Sequence, residues 1–180
     1  MDAVTDNGSG PMLTEEYAFI GWLIESTGAR SVLEIGTGRG EGVIRYSALD
    51  LDLLVTVDIN MRTIAHFQGS EVFGATPAVS YIEGSSHDAE VIRRVGIHAP
   101  YDLIILDGDH TFAAIKQDFA AYFPMLRDRG ACFIHDVDWG EVSVYWQKAR
   151  DLTESAPGMN GAPIRYRVMP NLGLVIKTVL

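Results

Sequence analysis

The segment at residues 31–40 reads SVLEIGTGRG and joins a short apolar strand to a turn that contains three glycines. Its acidic and glycine positions follow the pattern Glu34-x-Gly36-x-Gly38-x-Gly40. Glycines at such a turn allow the backbone to pass close to a ligand. The spacing differs from G-x-G-x-x-G, which suits the pyrophosphate of a dinucleotide. The segment therefore predicts a strand–turn–helix unit whose turn approaches a different kind of ligand.

Strands and helices alternate on both sides of this segment. Thr14 is predicted to cap a first helix that ends near Gly28, and Ser85 with Asp88 predicts a capping box before a later helix. The other helices are predicted near residues 41–49, 62–67, 112–126 and 141–152. The other strands are predicted at LLVTVD, AVSYIE, YDLIILD, ACFIHD, PIRYRVM and GLVIKTV. Five β–α units followed by a hairpin predict a single α/β domain with a mostly parallel, seven-stranded sheet and helices on both faces.

Composition narrows the classes of protein and partner. The chain has 180 residues, with 14 Lys and Arg against 24 Asp and Glu, which gives a formal net charge of −10. That balance argues against binding to nucleic acid or to an anionic membrane surface. The single cysteine, Cys132, excludes an internal disulfide and fits a reducing compartment. Neither a signal peptide nor an apolar run of about 20 residues is visible, so a cytoplasmic protein is expected. Residues 1–13 are predicted to form a flexible tail, and residues 14–180 the domain.

Polar residues follow the predicted parallel strands at the point where each strand ends. In a parallel α/β sheet the ligand lies beyond these carboxyl ends, near the switch in strand order. The residues concerned are Glu34–Gly36, Asp58, Glu83–Ser85, Asp107 and His135–Asp136. Structure alone does not demand charge at these positions, so they are the candidate functional site.

The glycine turn with its acidic residue resembles motif I of class I S-adenosylmethionine-dependent methyltransferases. Asp58 ends the second strand, where that family binds the two ribose hydroxyls. The resemblance implies a Rossmann-like methyltransferase fold with S-adenosylmethionine as cofactor. The cofactor-binding residues that it implies are Glu34, Gly36, Thr37, Gly38, Gly40, Asp58, Gly84, Ser85 and Asp107. The alternative for the turn and Asp58 is a tight strand–helix connection with a helix cap.

A second block, LIILDGDHTFAAIKQDFAAYFPMLRDRGACFIHD, is similar to the D-G-x-H … F-P-x-L-R-x-x-G … [E/H]-D pattern of a group of metal-dependent O-methyltransferases. That group includes the macrolide sugar O-methyltransferases and the cephalosporin-hydroxylase-like proteins. The resemblance implies that Asp107 and Asp136 bind Mg²⁺ and that His110 is the general base. His135 stands where some members have Glu, and we expect it to be either a metal ligand or a hydrogen-bonded spacer. Catechol-type relatives have Asn at the position of Val137, which leaves the third protein ligand open.

The chemistry of these residue types agrees with methyl transfer to a hydroxyl group. Carboxylate oxygens are ligands that Mg²⁺ prefers, and an imidazole can accept a proton near neutral pH. Two simpler interpretations stay open: Asp109 can cap the following helix, and His110 can only hydrogen-bond its own loop. His66, His87 and His98 are interpreted as ordinary surface or loop histidines, and Cys132 as a core residue. Trp139 and Trp146 are interpreted as core residues or as walls of a substrate pocket.

Three functions are compatible with these patterns. The first is metal-assisted O-methylation of a small hydroxylated molecule, by a protein that can form a homo-oligomer. The second is a metal-independent methyltransferase, or a protein that binds S-adenosylmethionine without turnover. The third is a nicotinamide-dependent oxidoreductase, which the glycine spacing disfavours.

Overall fold

The computed structural model describes residues 12–60, 78–149 and 163–178. The elements are α1 (Thr14–Thr27), β1 (Ser31–Ile35), α2 (Glu41–Tyr46), β2 (Leu53–Asp58), β3 (Ala78–Glu83), α3 (Ala89–Gly96), β4 (Tyr101–Leu106), α4 (Phe112–Tyr122), a 3₁₀ turn (Phe123–Met125), β5 (Leu126–His135), α5 (Gly140–Lys148), β6 (Ile164–Met169) and β7 (Leu172–Ile176). The predicted helix near residues 62–67 and most of the tail at residues 1–13 lie outside the described residues. Met12, near the end of that tail, is buried in the core.

One seven-stranded sheet organises the molecule, in the order β3-β2-β1-β4-β5-β7-β6. Strands β1 to β5 run parallel, and β7 pairs antiparallel with both β5 and β6. Two apolar clusters cover its faces, one containing residues of α1 and α2 and the other containing residues of α3, α4 and α5. The predicted fold class, a single α/β domain with a mostly parallel seven-stranded sheet and a C-terminal antiparallel hairpin, is confirmed.

The starts of several helices differ from the sequence prediction because the residues and hydrogen bonds that cap them are different. The N-cap of α1 is Leu13 rather than Thr14, and Glu16 accepts a hydrogen bond from the Leu13 amide at 2.7 Å. Asp88 is the N-cap of α3 but makes no side-chain capping bond. The predicted capping box with Ser85 is therefore wrong. Thr111, not Asp109, caps α4 by accepting a hydrogen bond from Ala114.

Helices α2, α4 and α5 end earlier than predicted, at Tyr46, Tyr122 and Lys148. The apolar periodicity that predicted a longer α4 continues through a 3₁₀ turn into Leu126, which is the first residue of β5. Cys132 is fully buried in β5, which confirms it as a core residue. Within the described residues, no helix has both the length and the apolar composition needed to cross a membrane.

The strand order reverses between β1 and β4, and the two strands end side by side there. Ile35 pairs with Leu106 in register, and the Asp107 amide donates to the Ile35 carbonyl at 2.9 Å. Gly36 follows with φ 97°, and a Cβ atom there would lie 2.0 Å from the Asp107 carbonyl oxygen. The first glycine of the turn is therefore required by contact with the neighbouring backbone.

We expect Gly36→Ala to destabilise the fold by about 3 kcal/mol or more, since positive-φ strain of ~1–2 kcal/mol adds to overpacking of ~1–3 kcal/mol. Gly28→Ala is the matched control, because Gly28 also has positive φ (65°) but a Cβ there meets nothing within 4 Å. Urea unfolding of both variants measures the difference. Equal losses of stability would show that the contact with Asp107 does not constrain Gly36.

Candidate functional site

The turn after β1 rests on a buried chain of polar groups. The Thr56 hydroxyl donates to Glu34 Oε2 at 2.7 Å, and the hydroxyls of Thr37 and Thr56 lie 2.6 Å apart. The Thr37 carbonyl accepts a hydrogen bond from the Gly40 amide, which closes the turn. The side chain of Glu34 is thus directed into the protein beneath the turn, and Thr37 ties the turn to β2.

Position 42 also requires glycine, which the sequence analysis missed. A Cβ atom at this position would lie 1.9 Å from Glu34 Oε1. The first turn of α2 therefore sits directly on the carboxyl group of Glu34. The sequence does carry a signal for this requirement, because Gly42 continues the alternate-residue spacing of the three glycines in the turn.

Burial raises the pKa of Glu34 from 4.5 to about 8. The hydrogen bond from Thr56 opposes this effect, while the charges of Asp107, Asp58 and Glu41 add to it. At neutral pH this carboxyl group is therefore mainly protonated in the folded protein, although sequence reasoning treated it as an acid of the cofactor site.

The carboxylate of Asp58 lies at the end of β2, over the same turn. Its Oδ2 accepts a hydrogen bond from the Gly38 amide at 2.9 Å, and its Oδ1 accepts one from Asn60 at the same distance. Its carbonyl accepts a hydrogen bond from the Gly84 amide, so the loop after β3 begins against Asp58. The structure thus brings the predicted residues Gly38, Asp58 and Gly84 together.

Asp107, His110 and Asp136 form a second group at the ends of β4 and β5. His110 Nε2 lies 3.0 Å from Asp136 Oδ2 and 3.5 Å from Asp107 Oδ1. One potential ligand atom from each residue lies within 4.8 Å of the others, a spacing at which they can hold a metal ion. Asp136 adopts φ 58°, a left-handed conformation that is uncommon for residues other than glycine. The chain thus turns sharply where the carboxylate meets this group.

Asp107 and the neighbouring histidines shift one another's pKa values. Burial raises the pKa of Asp107, but hydrogen bonds and charge from His110 and His135 outweigh it, so the net shift is downward. The hydrogen bond to Asp107 raises the pKa of His110, with partial opposition from burial. The neighbouring histidines therefore favour a charged Asp107 carboxylate at neutral pH.

His135 contacts both carboxylates of this group from its buried side. Its Nδ1 is 3.0 Å from Asp107 Oδ1, and its Nε2 is 3.2 Å from Oε2 of the buried Glu16 on α1. Asn171, in the turn between β6 and β7, donates to Asp136 Oδ1 at 2.7 Å and lies 3.3 Å from His135 Nε2. Sequence analysis missed Glu16 and Asn171, because neither ends a parallel strand.

The structure also locates the tryptophans, Asp109 and His87, which the sequence analysis had singled out. Trp146 packs in the core and Trp139 is partly exposed. Asp109 accepts a hydrogen bond from the Thr111 amide and is exposed, so it supports the start of α4 without being its cap. His87, expected to be an ordinary loop residue, contacts the buried Asp118 instead.

The two groups form one continuous edge of the sheet, because Gly36 touches the backbone of Asp107. In one half, the glycine turn lets a ligand come close to the backbone, and the Asp58 carboxylate can accept hydrogen bonds from hydroxyl groups. The other half offers carboxylates and an imidazole, which can bind a cation or move a proton. A group transfer from a molecule bound at the turn to a molecule bound beside Asp107 and His110 fits this geometry.

A family model described as a methyltransferase domain matches residues 33–137, more than half of the chain. The chain therefore belongs to this methyltransferase family, which confirms the resemblance predicted from the glycine turn and the D-G-x-H block. The match begins in β1 and ends just after Asp136, so it covers both halves of the site.

One sequence relative is similar over a shorter segment, and solved structures share the fold over most of the chain. A 66-residue segment is 38% identical to mycinamicin VI 2''-O-methyltransferase of Micromonospora griseorubida, covering 36% of this chain and 16% of that protein. A caffeoyl-CoA O-methyltransferase-like structure from Staphylococcus aureus superposes with TM-score 0.68 at 20% identity, over 95% of this chain and 87% of that one. The methyltransferase MycE, solved with Mg, S-adenosylhomocysteine and mycinamycin VI, superposes with TM-score 0.63 at 22% identity, over 92% of this chain and 48% of that one. This chain thus matches about half of MycE.

We expect the stability of the protein without ligand to fall as pH rises from about 4.5 to about 8, in part because of Glu34. In this window the folded protein holds a proton on Glu34 that the unfolded chain has released. The favourable contribution is complete below the unfolded pKa and is lost as pH rises through the folded one. The slope from one proton is at most about 1.4 kcal/mol per pH unit.

Glu34→Gln should remove this slope, since glutamine does not titrate and can still accept the Thr56 hydrogen bond. Urea unfolding at several pH values between 5 and 8 measures it, with Glu25→Gln, at an exposed carboxylate in α1, as the control. Parallel stability curves for the wild type and Glu34→Gln would contradict a buried, protonated Glu34.

Proposed function

We propose that this protein is an S-adenosylmethionine-dependent O-methyltransferase that methylates a hydroxyl group of a small molecule with the help of a divalent cation. The observation that carries this proposal is the direct contact between the glycine turn and the backbone of Asp107. It joins a cofactor site and an acid–base site at the switch point of a methyltransferase fold. Alignment of two bound reactants can by itself lower a barrier by up to roughly 7–11 kcal/mol.

The cofactor would bind along the ends of β1, β2 and β3. Asp58 is the residue for the ribose hydroxyls, because its carboxylate lies on the glycine turn at the end of β2. The backbone of the turn and the loop after β3 form the rest of the cradle. Its residues are Gly36, Thr37, Gly38, Gly40, Gly84 and Ser85. Glu34 supports this cradle from beneath through Thr56. S-adenosylmethionine supplies the methyl group, which passes from its sulfonium sulfur to the acceptor oxygen.

The residues around Asp136 fit a divalent cation. Asp136 is 1% exposed, and among the described residues its Oδ2 makes no aligned hydrogen bond, although His110 Nε2 lies 3.0 Å away. A buried carboxylate oxygen without a hydrogen bond is costly unless an ion or another group compensates it. Asp107 and Asp136 would hold Mg²⁺, with His135 as the further candidate ligand. When bound, the cation favours the oxyanion of the acceptor hydroxyl.

His110 is the candidate general base. Its Nε2 faces the same two carboxylates, and its side chain is one third exposed, so an acceptor bound at this edge can reach it. The imidazole takes the proton that the hydroxyl loses as the new oxygen–carbon bond forms. Metal-independent transfer is the second candidate function. It is favoured by the contacts of Asp107 and Asp136 with His110, which can orient the base without a cation.

The acceptor is proposed to be a small hydroxylated molecule. Support comes from the relatives, whose names specify methyl transfer to a hydroxyl of mycinamicin VI, and from the MycE complex with Mg and mycinamycin VI. The net charge of −10 agrees with an acceptor that is not a nucleic acid. The matched part of this chain is a minor share of that relative, so the acceptor is proposed by class only.

We expect Asp58→Ala to weaken the binding of S-adenosylhomocysteine about ten- to a hundredfold, since hydrogen bonds to a charged group contribute about 1.5–3 kcal/mol. Isothermal titration calorimetry with the wild type and the variant measures this. Asp50→Ala is the control, because Asp50 is an exposed carboxylate that pairs with Arg30 before β2. Unchanged affinity in folded Asp58→Ala would exclude Asp58 as the ribose-binding residue.

We expect Asp136→Asn to weaken Mn²⁺ binding at least about tenfold, as loss of even outer-shell partners commonly costs 10–100-fold. Mn²⁺ serves as a spectroscopic substitute for Mg²⁺, and electron paramagnetic resonance counts the free ion. Asp138→Asn is the matched control two residues away, where the exposed carboxylate pairs with Arg167. Methyl transfer to a panel of small sugars and phenols is then compared before and after chelation. Full transfer after chelation would favour the metal-independent candidate.

A further inference from the structure

Asp118 carries a carboxyl group on the buried face of α4, where the neighbouring positions are apolar. It is 1% exposed, and it shares this face with Ile115, Phe119 and Tyr122. Among the described residues, its Oδ1 has no aligned hydrogen bond. Burying a carboxyl group in this way is unfavourable, and an apolar side chain would serve packing better. The position therefore points to a role other than stability.

The carboxyl group of Asp118 lies between two loops of the proposed active site. Its Oδ1 is 3.2 Å from Nε2 of His87, in the loop between β3 and α3. Its Oδ2 lies beside Gly108, where an added Cβ would be 3.6 Å away. Gly108 directly follows Asp107, so one buried side chain contacts the loop after β3 and faces the start of the loop after β4.

The link through His87 reaches a residue of the cofactor cradle. The backbone amide of His87 donates to the hydroxyl oxygen of Ser85 at 3.2 Å. The imidazole and the amide of one residue therefore contact Asp118 on one side and Ser85 on the other. The Ser85 hydroxyl is therefore bonded to the backbone of the residue whose side chain contacts Asp118.

Tyr122 adds a second connection from the same helix to the same loop. It lies four residues after Asp118, so the two side chains project from one face of α4. Its hydroxyl donates to the Ser86 carbonyl at 2.6 Å. The loop at residues 84–88 is thus held to α4 at two consecutive residues, Ser86 and His87, one through its backbone and one through its side chain.

We propose that Asp118 and His87 are positioning residues that fix the loop at residues 84–88 against the cofactor. This inference rests on the proposed function, because it takes Gly84 and Ser85 as part of the cofactor cradle. The loop starts at the carbonyl of Asp58, which accepts from the Gly84 amide. A loop held by Asp118 therefore keeps its spacing from the ribose-binding carboxylate. Neither Asp118 nor His87 touches the cofactor in this arrangement.

The test is the affinity for S-adenosylhomocysteine, measured by calorimetry on the full chain. Asp118→Asn keeps the shape of the side chain and removes its charge. His87→Ala removes the imidazole from a side chain that is 30% exposed, so this variant is expected to fold. Each should weaken binding about tenfold, the factor that corresponds to one net hydrogen bond. The double variant should be no weaker than the single ones, because the two groups act as a pair.

Asp88→Asn is the matched control for the same chemical change in the same loop, at an exposed residue without a side-chain capping bond. It should bind S-adenosylhomocysteine like the wild type. Mn²⁺ affinity should be unchanged in all these variants, which separates a local effect on the cofactor loop from a general loss of structure.

The outcomes separate this inference from the function on which it rests. A wild-type protein that does not bind S-adenosylhomocysteine would contradict the proposed function and this inference together. Wild-type binding with unchanged affinity in folded Asp118→Asn and His87→Ala would overturn this inference alone. An equal loss of cofactor and Mn²⁺ affinity would also overturn it, since it would show a structural role.

Discussion

The backbone contact between Gly36 and Asp107 is the constraint on which the site depends. Parallel strands that end in register bring their following residues to one edge, and the reversal of strand order opens a crevice between β1 and β4. Only glycine leaves room for the Asp107 carbonyl, which would otherwise lie 2.0 Å from a Cβ atom. As a result, the ligand turn and the acidic group share one surface. A methyl donor on one side can then meet an acceptor on the other.

Carboxyl groups are concentrated at this edge, and the protein compensates each of them differently. Glu34 is buried and holds a proton, as the rise of its pKa to about 8 indicates. Asp107 stays charged because imidazoles outweigh its burial. Asp136 accepts a hydrogen bond from the Asn171 amide on one oxygen, and its other oxygen lies 3.0 Å from His110 Nε2. Neighbouring carboxyl groups in different environments can therefore take different roles in one site.

Support for these groups comes from parts of the chain that lie far from them in sequence. Glu16 reaches His135 from α1 across 119 positions, and Asn171 reaches Asp136 from the C-terminal hairpin across 35. Asp118 contacts the loop after β3 from within α4. Helices on both faces of the sheet thus contribute to one edge, and the orientation of the site depends on how they are docked.

The sequence by itself determined the order of the described strands and helices and the position of the glycine turn, because these follow from local periodicity. It also determined that Asp58, Asp107, His110 and Asp136 lie at one edge of the sheet, because parallel strands end at the same edge. It did not determine helix ends such as that of α4, where apolar spacing continues from Tyr122 into β5 while the backbone changes conformation. Only the tertiary structure decided that Glu34 is directed inward, that His135 lies between Asp107 and the buried Glu16, and that Asn171 contacts Asp136. Those contacts join residues without any shared spacing in the chain, so their distances exist only once the helices have packed on the sheet.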